Sequence, residues 1–201
     1  MDTKERILET VRKLANISDS TGLTTNHMAE KLSMSPGNLY YHFKNREEIY
    51  RGIFQQMYRK ELEICGRFPE ARDKEAVLLL YGELVEHMWT YRFLHLDITA
   101  LGTRDRQLYD DYSRLVSATL EDIRRTVVDQ MNAGAPFRPD RIENYVQLTG
   151  QILFGWPRYL EVQNHAQRRD DVLPKQAKAI VLTMLKDAIE LLVDGSAVFQ
   201  D

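Results

Sequence analysis

The chain has 201 residues, 43% hydrophobic and 28% charged, which is the make-up of one globular domain or two small ones and argues against a disordered protein. Its single cysteine, Cys65, excludes an internal disulfide and a cysteine metal cluster, and no apolar run approaches the length of a membrane span. The net charge is −3, yet residues 1–60 hold 10 Lys and Arg against 7 Asp and Glu. A basic front and an acidic rear suit a protein one end of which meets a polyanion.

The opening run Met1 to Arg6 is charged and lacks a secretory h-region, so a cytoplasmic location is expected. Ile7, Leu8, Val11, Leu14 and Ala15 then recur at helical spacing. After Gly22, Thr24 is placed to cap a short second helix with Met28, Ala29 and Leu32 inward. Ser33-Met34-Ser35 interrupts the pattern. Ser35 before Pro36 combines a capping hydroxyl with a proline at the first helical position, and Leu39 and Phe43 anchor the third helix. Asn45 followed by Glu48 resembles a capping box that opens a fourth helix carrying Ile49, Ile53, Phe54 and Met57 inward.

Beyond Pro69 the apolar stripes lengthen. Breaks at Thr90 to Phe93, Gly102, Gly134 to Pro139 and Arg168 to Pro174 predict about five more helices. Strand alternation and hairpin dipeptides are missing, so the class is all-α. The expected division is a DNA-binding domain over 1–47, a connecting helix over about 46–65, and a larger domain over 70–201.

Residues Thr24 to Phe43 have the form of a helix-turn-helix: two short helices held together by Leu32, Met34, Leu39 and Phe43, with few charges on the second. Pro36, Gly37, Asn38, Tyr41 and His42 are then left for a DNA groove. Asn38 offers an amide matched to adenine, and Gly37 permits close approach. Tyr40 and Tyr41 can reach phosphates or thymine methyls, and Lys44 and Arg46 add positive charge beside the start of the fourth helix. His42 suits a structural bond to a neighbouring backbone group about as well as a DNA contact.

The run Gly22 to Leu32, the Ser35 to Phe43 segment and Lys44-Asn45-Arg46-Glu47-Glu48-Ile49 together resemble the TetR family of transcriptional regulators, above all in Leu-Tyr-x-His-Phe followed by a basic residue and Asn. The likeness covers roughly the first quarter of the chain. It implies phosphate or flanking-base contacts for Thr24, Thr25 and Asn26, groove contacts for Pro36, Gly37, Asn38, Tyr40, Tyr41 and His42, and a phosphate contact for Arg46. Ser33 departs from the family, which usually has Gly at that point of the turn.

The resemblance further implies a helical C-terminal domain that dimerises and encloses an effector pocket. For the pocket, the aromatic concentration at Tyr81, His87, Met88, Trp89, Tyr91 and Phe93, faced by Tyr112, Gln151, Phe154 and Trp156, suits a largely apolar effector, with core packing as the alternative. Gly150 and Gly155, costly inside a helix, signal close packing or room for a ligand, and Pro157 should kink the same helix. For the dimer, the wide apolar faces of the last two helices point to Ile152, Leu153, Leu160, Ile180, Met184 and Ile189, unless those helices are buried in their own subunit. Arg92 suits an acidic ligand head or a salt bridge to Asp97.

No cofactor is expected, and His87, His95 and Asp97 lack metal-site spacing. No nucleophile elbow, phosphate loop or His-Glu-x-x-His points to an enzyme. The expected function is a ligand-responsive regulator, most simply a repressor. It would bind a near-palindromic double-stranded operator as a homodimer and be released by an apolar small molecule, with no membrane partner.

Overall fold

In a computed structural model that describes residues 2–71, 73–163 and 172–193, the described chain is helical and contains no strand. Its helices are α1 (Thr3–Ile17), α2 (Thr25–Lys31), α3 (Pro36–His42), α4 (Arg46–Cys65), α5 (Lys74–Thr90), α6 (Arg92–Gly102), α7 (Arg106–Asn132), α8 (Ile142–Val162) and α9 (Lys175–Val193). Short 3-10 turns at Phe68–Glu70 and Pro139–Arg141 lead into α5 and α8. The five helices expected beyond Pro69 are present. Of the expected break at 168–174, positions 168–171 lie outside the described residues.

Local chemistry sets most helix starts. Asp2 and Glu5 close a full capping box on α1, and the side chains of Thr24, Ser35, Asn45, Asp73 and Asp105 each accept the N–H three residues on. At α4 the box is shifted, because Glu48 reaches past Asn45 to the Lys44 N–H at 2.6 Å.

Two apolar clusters form the interior. The first joins Ile7, Val11, Met28, Leu39, Ile49 and Met57 to Phe93 and Leu94 of α6 and to Leu108, Tyr112 and Leu115 of α7. The N-terminal helices therefore share a core with residues well beyond Pro69. The second gathers Tyr81, Trp89, Val146, Leu153, Trp156, Val181 and Leu185 among α5, α8 and α9. Where α7 crosses α8, a Cβ on Gly150 would collide with Leu120 Cδ2, so Gly150 serves close helix packing. Gly155 faces open space, and α8 continues through the buried Pro157.

Polar ties fix the N-terminal helices to the rest. Arg12 and Asn16 of α1 both donate to the Thr90 carbonyl, at 2.6 and 2.8 Å, and Asn16 Oδ1 accepts the Phe93 N–H. The break between α5 and α6 is thus clasped by α1. Arg51 of α4 donates to Asp105, the N-cap of α7, at 2.6 Å.

Candidate nucleic-acid interface and ligand cavity

The segment from Thr24 to Phe43 folds as the expected pair of short helices. The turn passes through Ser33 at φ +53°, a left-handed conformation that glycine adopts freely and serine only with strain. The glycine usual at this point of the turn is thereby explained. Ser35 Oγ accepts the Asn38 N–H at 3.1 Å, and Leu39 and Phe43 are buried against α1, α2 and α4.

The outer face of α3 is open. Pro36, Gly37 and Asn38 are exposed, Tyr41 is 84% exposed and Tyr40 49%. A Cβ on Gly37 would meet only Ser35 Oγ, at 4.0 Å, so nothing inside the fold requires a glycine there. Thr24 and Asn26 are exposed beside it, and Thr25 is tied to Tyr40 through a 3.0 Å hydroxyl–hydroxyl bond. His42 is half-buried with its ring against Tyr41, and His27 of α2, which sequence reasoning passed over, is exposed. Lys44 is exposed.

Arg46 is a correction. Its guanidinium is buried and donates to the Thr21 and Leu23 carbonyls at 2.7 and 3.0 Å and to Glu47 at 3.1 Å. The side chain staples the loop before α2 to α4 and is spent inside the protein.

At the other end of α4 lies a cavity of about 540 Å³, walled by Cys65, Phe68, Val77, Tyr81, Thr119, Ile123, Thr126, Phe137, Tyr145 and Leu153 among others. Its wall is mainly apolar. Tyr81 and Tyr145 meet within it through a 2.8 Å hydroxyl pair, and burial pushes the Cys65 thiol up to about 12, so it stays protonated.

Of the residues expected to line a pocket, Tyr81 does so, and the others are elsewhere. Met88, Trp89, Phe93 and Trp156 are core, with Trp89 stacked on Trp156 at 5.6 Å. Tyr112 and Phe154 pack around His95, whose Nδ1 lies 2.9 Å from the Tyr112 hydroxyl. His87 Nε2 bonds the Met57 carbonyl, Tyr91 sits against Arg12, and Gln151 is exposed on α8. Arg92 is buried over the Trp89 ring and donates to the Trp89 carbonyl. The aromatics at the α5–α6 break weld helices together and do not enclose the cavity. The signal that was missed is on α7, where Thr119, Ile123, Thr126, Val127 and Gln130 form one stripe in which threonines replace the expected large aliphatics.

The proposed dimer residues divide as well. Ile152, Leu153, Leu160 and Ile189 are buried within their own chain, and Leu153 and Ile189 face the cavity. Ile180 and Met184 are half-buried. On α8, Tyr159 and Val162 are exposed, at 46% and 67%.

The family model of TetR, described as bacterial transcriptional repressor, matches residues 54–187. The chain belongs to the TetR family. The match covers the larger helical part, whereas the Gly22 to Ile49 wording carried the resemblance from the other end. A TetR-family transcriptional regulator from Marinobacter aquaeolei VT8 is similar over 94% of this chain and 99% of its own, at 25% identity and a TM-score of 0.68. A transcriptional regulator from Aquifex aeolicus VF5 shares the fold over 94% and 99% of the two chains, with a TM-score of 0.64 at 18% identity. No curated protein matches the chain significantly in sequence. Membership of the TetR family makes this a DNA-binding transcriptional regulator. Among the described residues no helix is long and apolar enough to cross a membrane.

Proposed function

We propose that the protein is a ligand-responsive repressor that binds a near-palindromic operator as a homodimer and lets go when a largely apolar small molecule enters the cavity. The observation that carries this reading is the placement of α4. Its first residue, Arg46, is stapled to the helix-turn-helix, and its last, Cys65, is part of the cavity wall. Twenty residues of helix span about 30 Å, so a ligand that wedges Cys65 away from Thr119 and Ile123 swings the reading head through a lever of that length.

In this reading Asn38, Tyr41 and Gly37 read bases in the major groove. Thr24, Thr25, Asn26, Tyr40, His42 and Lys44 hold the flanking phosphates, and the protein works in the cytoplasm. Two copies meet through the outward apolar surface of Leu148, Tyr159 and Val162 on α8 with Ile180, Met184 and Leu191 on α9. Gly155 leaves room there for a partner helix. A two-fold dimer then sets its two α3 helices about 34 Å apart, one turn of DNA. The effector must bind the released form more tightly than the DNA-bound form to act at all.

Selection from random duplex DNA tests the reading. An inverted repeat with half-sites one helical turn apart is expected. Enrichment of no such site would remove operator binding from the proposal, and an enriched site bound equally by monomer would remove the dimer.

A further inference from the structure

Behind the wall of the cavity stands a carboxylic acid that the fold leaves half unsatisfied. Glu61 lies on α4 one turn before Cys65, so both side chains share a helix face, and Cys65 is part of the wall. Opposite on α7, Thr119 is also part of the wall, and its hydroxyl donates to Glu61 Oε1 over a long 3.4 Å. Glu61 is 1% exposed, and its second oxygen, Oε2, has no hydrogen-bond partner. A buried carboxyl oxygen without a partner is costly and uncommon, and it stands here one side chain behind the wall of a cavity. Burial pushes the Glu61 carboxyl up to about 7, and a cation beside it would draw it to the charged form.

The charge around the cavity has the same sign. Among the described residues, Asp73, Asp122 and Asp129 are part of the wall against one ammonium, that of Lys74, and no arginine is. The Lys74 ammonium is itself held by Glu190 at 2.5 Å. Asp122 is paired with Arg125 at 2.6 Å and Asp73 caps α5, so among the described wall residues an anionic ligand finds no unpaired cation, while a wholly apolar ligand leaves Oε2 of Glu61 as it is.

We infer that the cavity takes an apolar molecule carrying a protonated amine, and that Glu61, with Thr119 beside it, receives the ammonium. This rests on the cavity being the effector site. It also places the charge that the ligand answers on α4, the helix that carries the reading head.

Octylamine, octanol and octanoate have one chain length and three head groups, and calorimetric titration into the full chain at about pH 7.5 compares them with the amine protonated. Octylamine is expected to bind about tenfold tighter than octanol, the gain of one charged hydrogen bond, with octanoate weakest. Glu61→Gln keeps the shape and is expected to bring octylamine to octanol's affinity while leaving octanol unchanged. The ligand order in the unaltered protein tests the inference even if that variant folds poorly. Equal affinities, tighter octanoate, no binding of octylamine, or a preference for the amine that survives Glu61→Gln would each overturn it. Release of selected operator DNA, followed in parallel, separates the two readings. Glu61-dependent amine binding that leaves the DNA complex intact sinks the effector reading alone. DNA release by octanol or octanoate as readily as by octylamine sinks the amine inference alone.

Discussion

Lys44 and Arg46 are two residues apart and both basic, yet the structure gives them opposite work. Arg46 satisfies two backbone carbonyls in the loop before α2, so Arg46→Ala leaves buried acceptors unpaired and should destabilise the fold by about 1–3 kcal/mol in urea unfolding. Lys44→Ala should leave the unfolding midpoint where it is. It should instead flatten the logarithmic salt dependence of DNA binding by about 0.9 if the ammonium neutralises one phosphate. A stable Arg46→Ala protein with a flattened slope would reverse the assignment. Asn38 is exposed beside Gly37 and offers the amide suited to adenine. Asn38→Ala is expected to relax preference at one base pair of each half-site by about 1–3 kcal/mol, and an equal loss on every sequence would make it a backbone contact.

At the scale of elements, α4, α6 and α7 enclose two ionisable groups that burial pushes in opposite directions. Glu61 faces Thr119 and, more distantly, Cys65 and Tyr112, and its carboxyl rises from the ordinary 4.5 to about 7. His95 faces Tyr112 and Phe154, with His87 adding a like charge, and it falls from 6.5 to about 3. The raised carboxyl favours the fold below pH 4.5, and that contribution is lost as pH climbs through about 7. The depressed imidazole favours the fold above pH 6.5 and loses that contribution as pH falls towards 3. Between 4.5 and 6.5 the two slopes oppose each other. Glu61→Gln should therefore stabilise the protein at pH 8 by up to about 3 kcal/mol and uncover a stability that rises with pH from 4.5 to 6.5. A Glu61→Gln protein with the same pH profile as its parent would show that the carboxyl is paired in solution.

At the scale of the whole molecule, the N-terminal helices are tied to α5, α6 and α7. Arg12 and Asn16 clasp the α5–α6 break, Arg51 holds the cap of α7, and the first core runs from α1 to Leu115. One reading head has few cations at its surface, so tight operator binding should need two. Tyr159→Glu with Val162→Glu puts charge on the proposed joint of α8 without touching either core. The variant is expected to run as a folded monomer in sedimentation and to lose operator affinity by at least about tenfold. A variant that stays dimeric would move the joint elsewhere on the surface.

Local chemistry was legible throughout the sequence. Capping residues, helical periodicity and the Ser35–Pro36 start determine where helices begin, because a cap acts within one turn and needs no distant partner. The outward-facing set on α3 follows from the same period, with Leu39 and Phe43 inward and Asn38 and Tyr41 outward. Only the tertiary structure decided which polar or apolar side chain is spent inside. Arg46 was taken by carbonyls some twenty residues earlier in the chain. Trp89 stacks on Trp156, a residue far along the chain. The cavity opened along the threonine stripe of α7 against Cys65. Sequence period sets the face of a helix, but the partner across that face comes from the crossing of distant elements. A void forms where two such faces fail to fill each other, and the Glu61 oxygen left unpaired beside it belongs to that same mismatch.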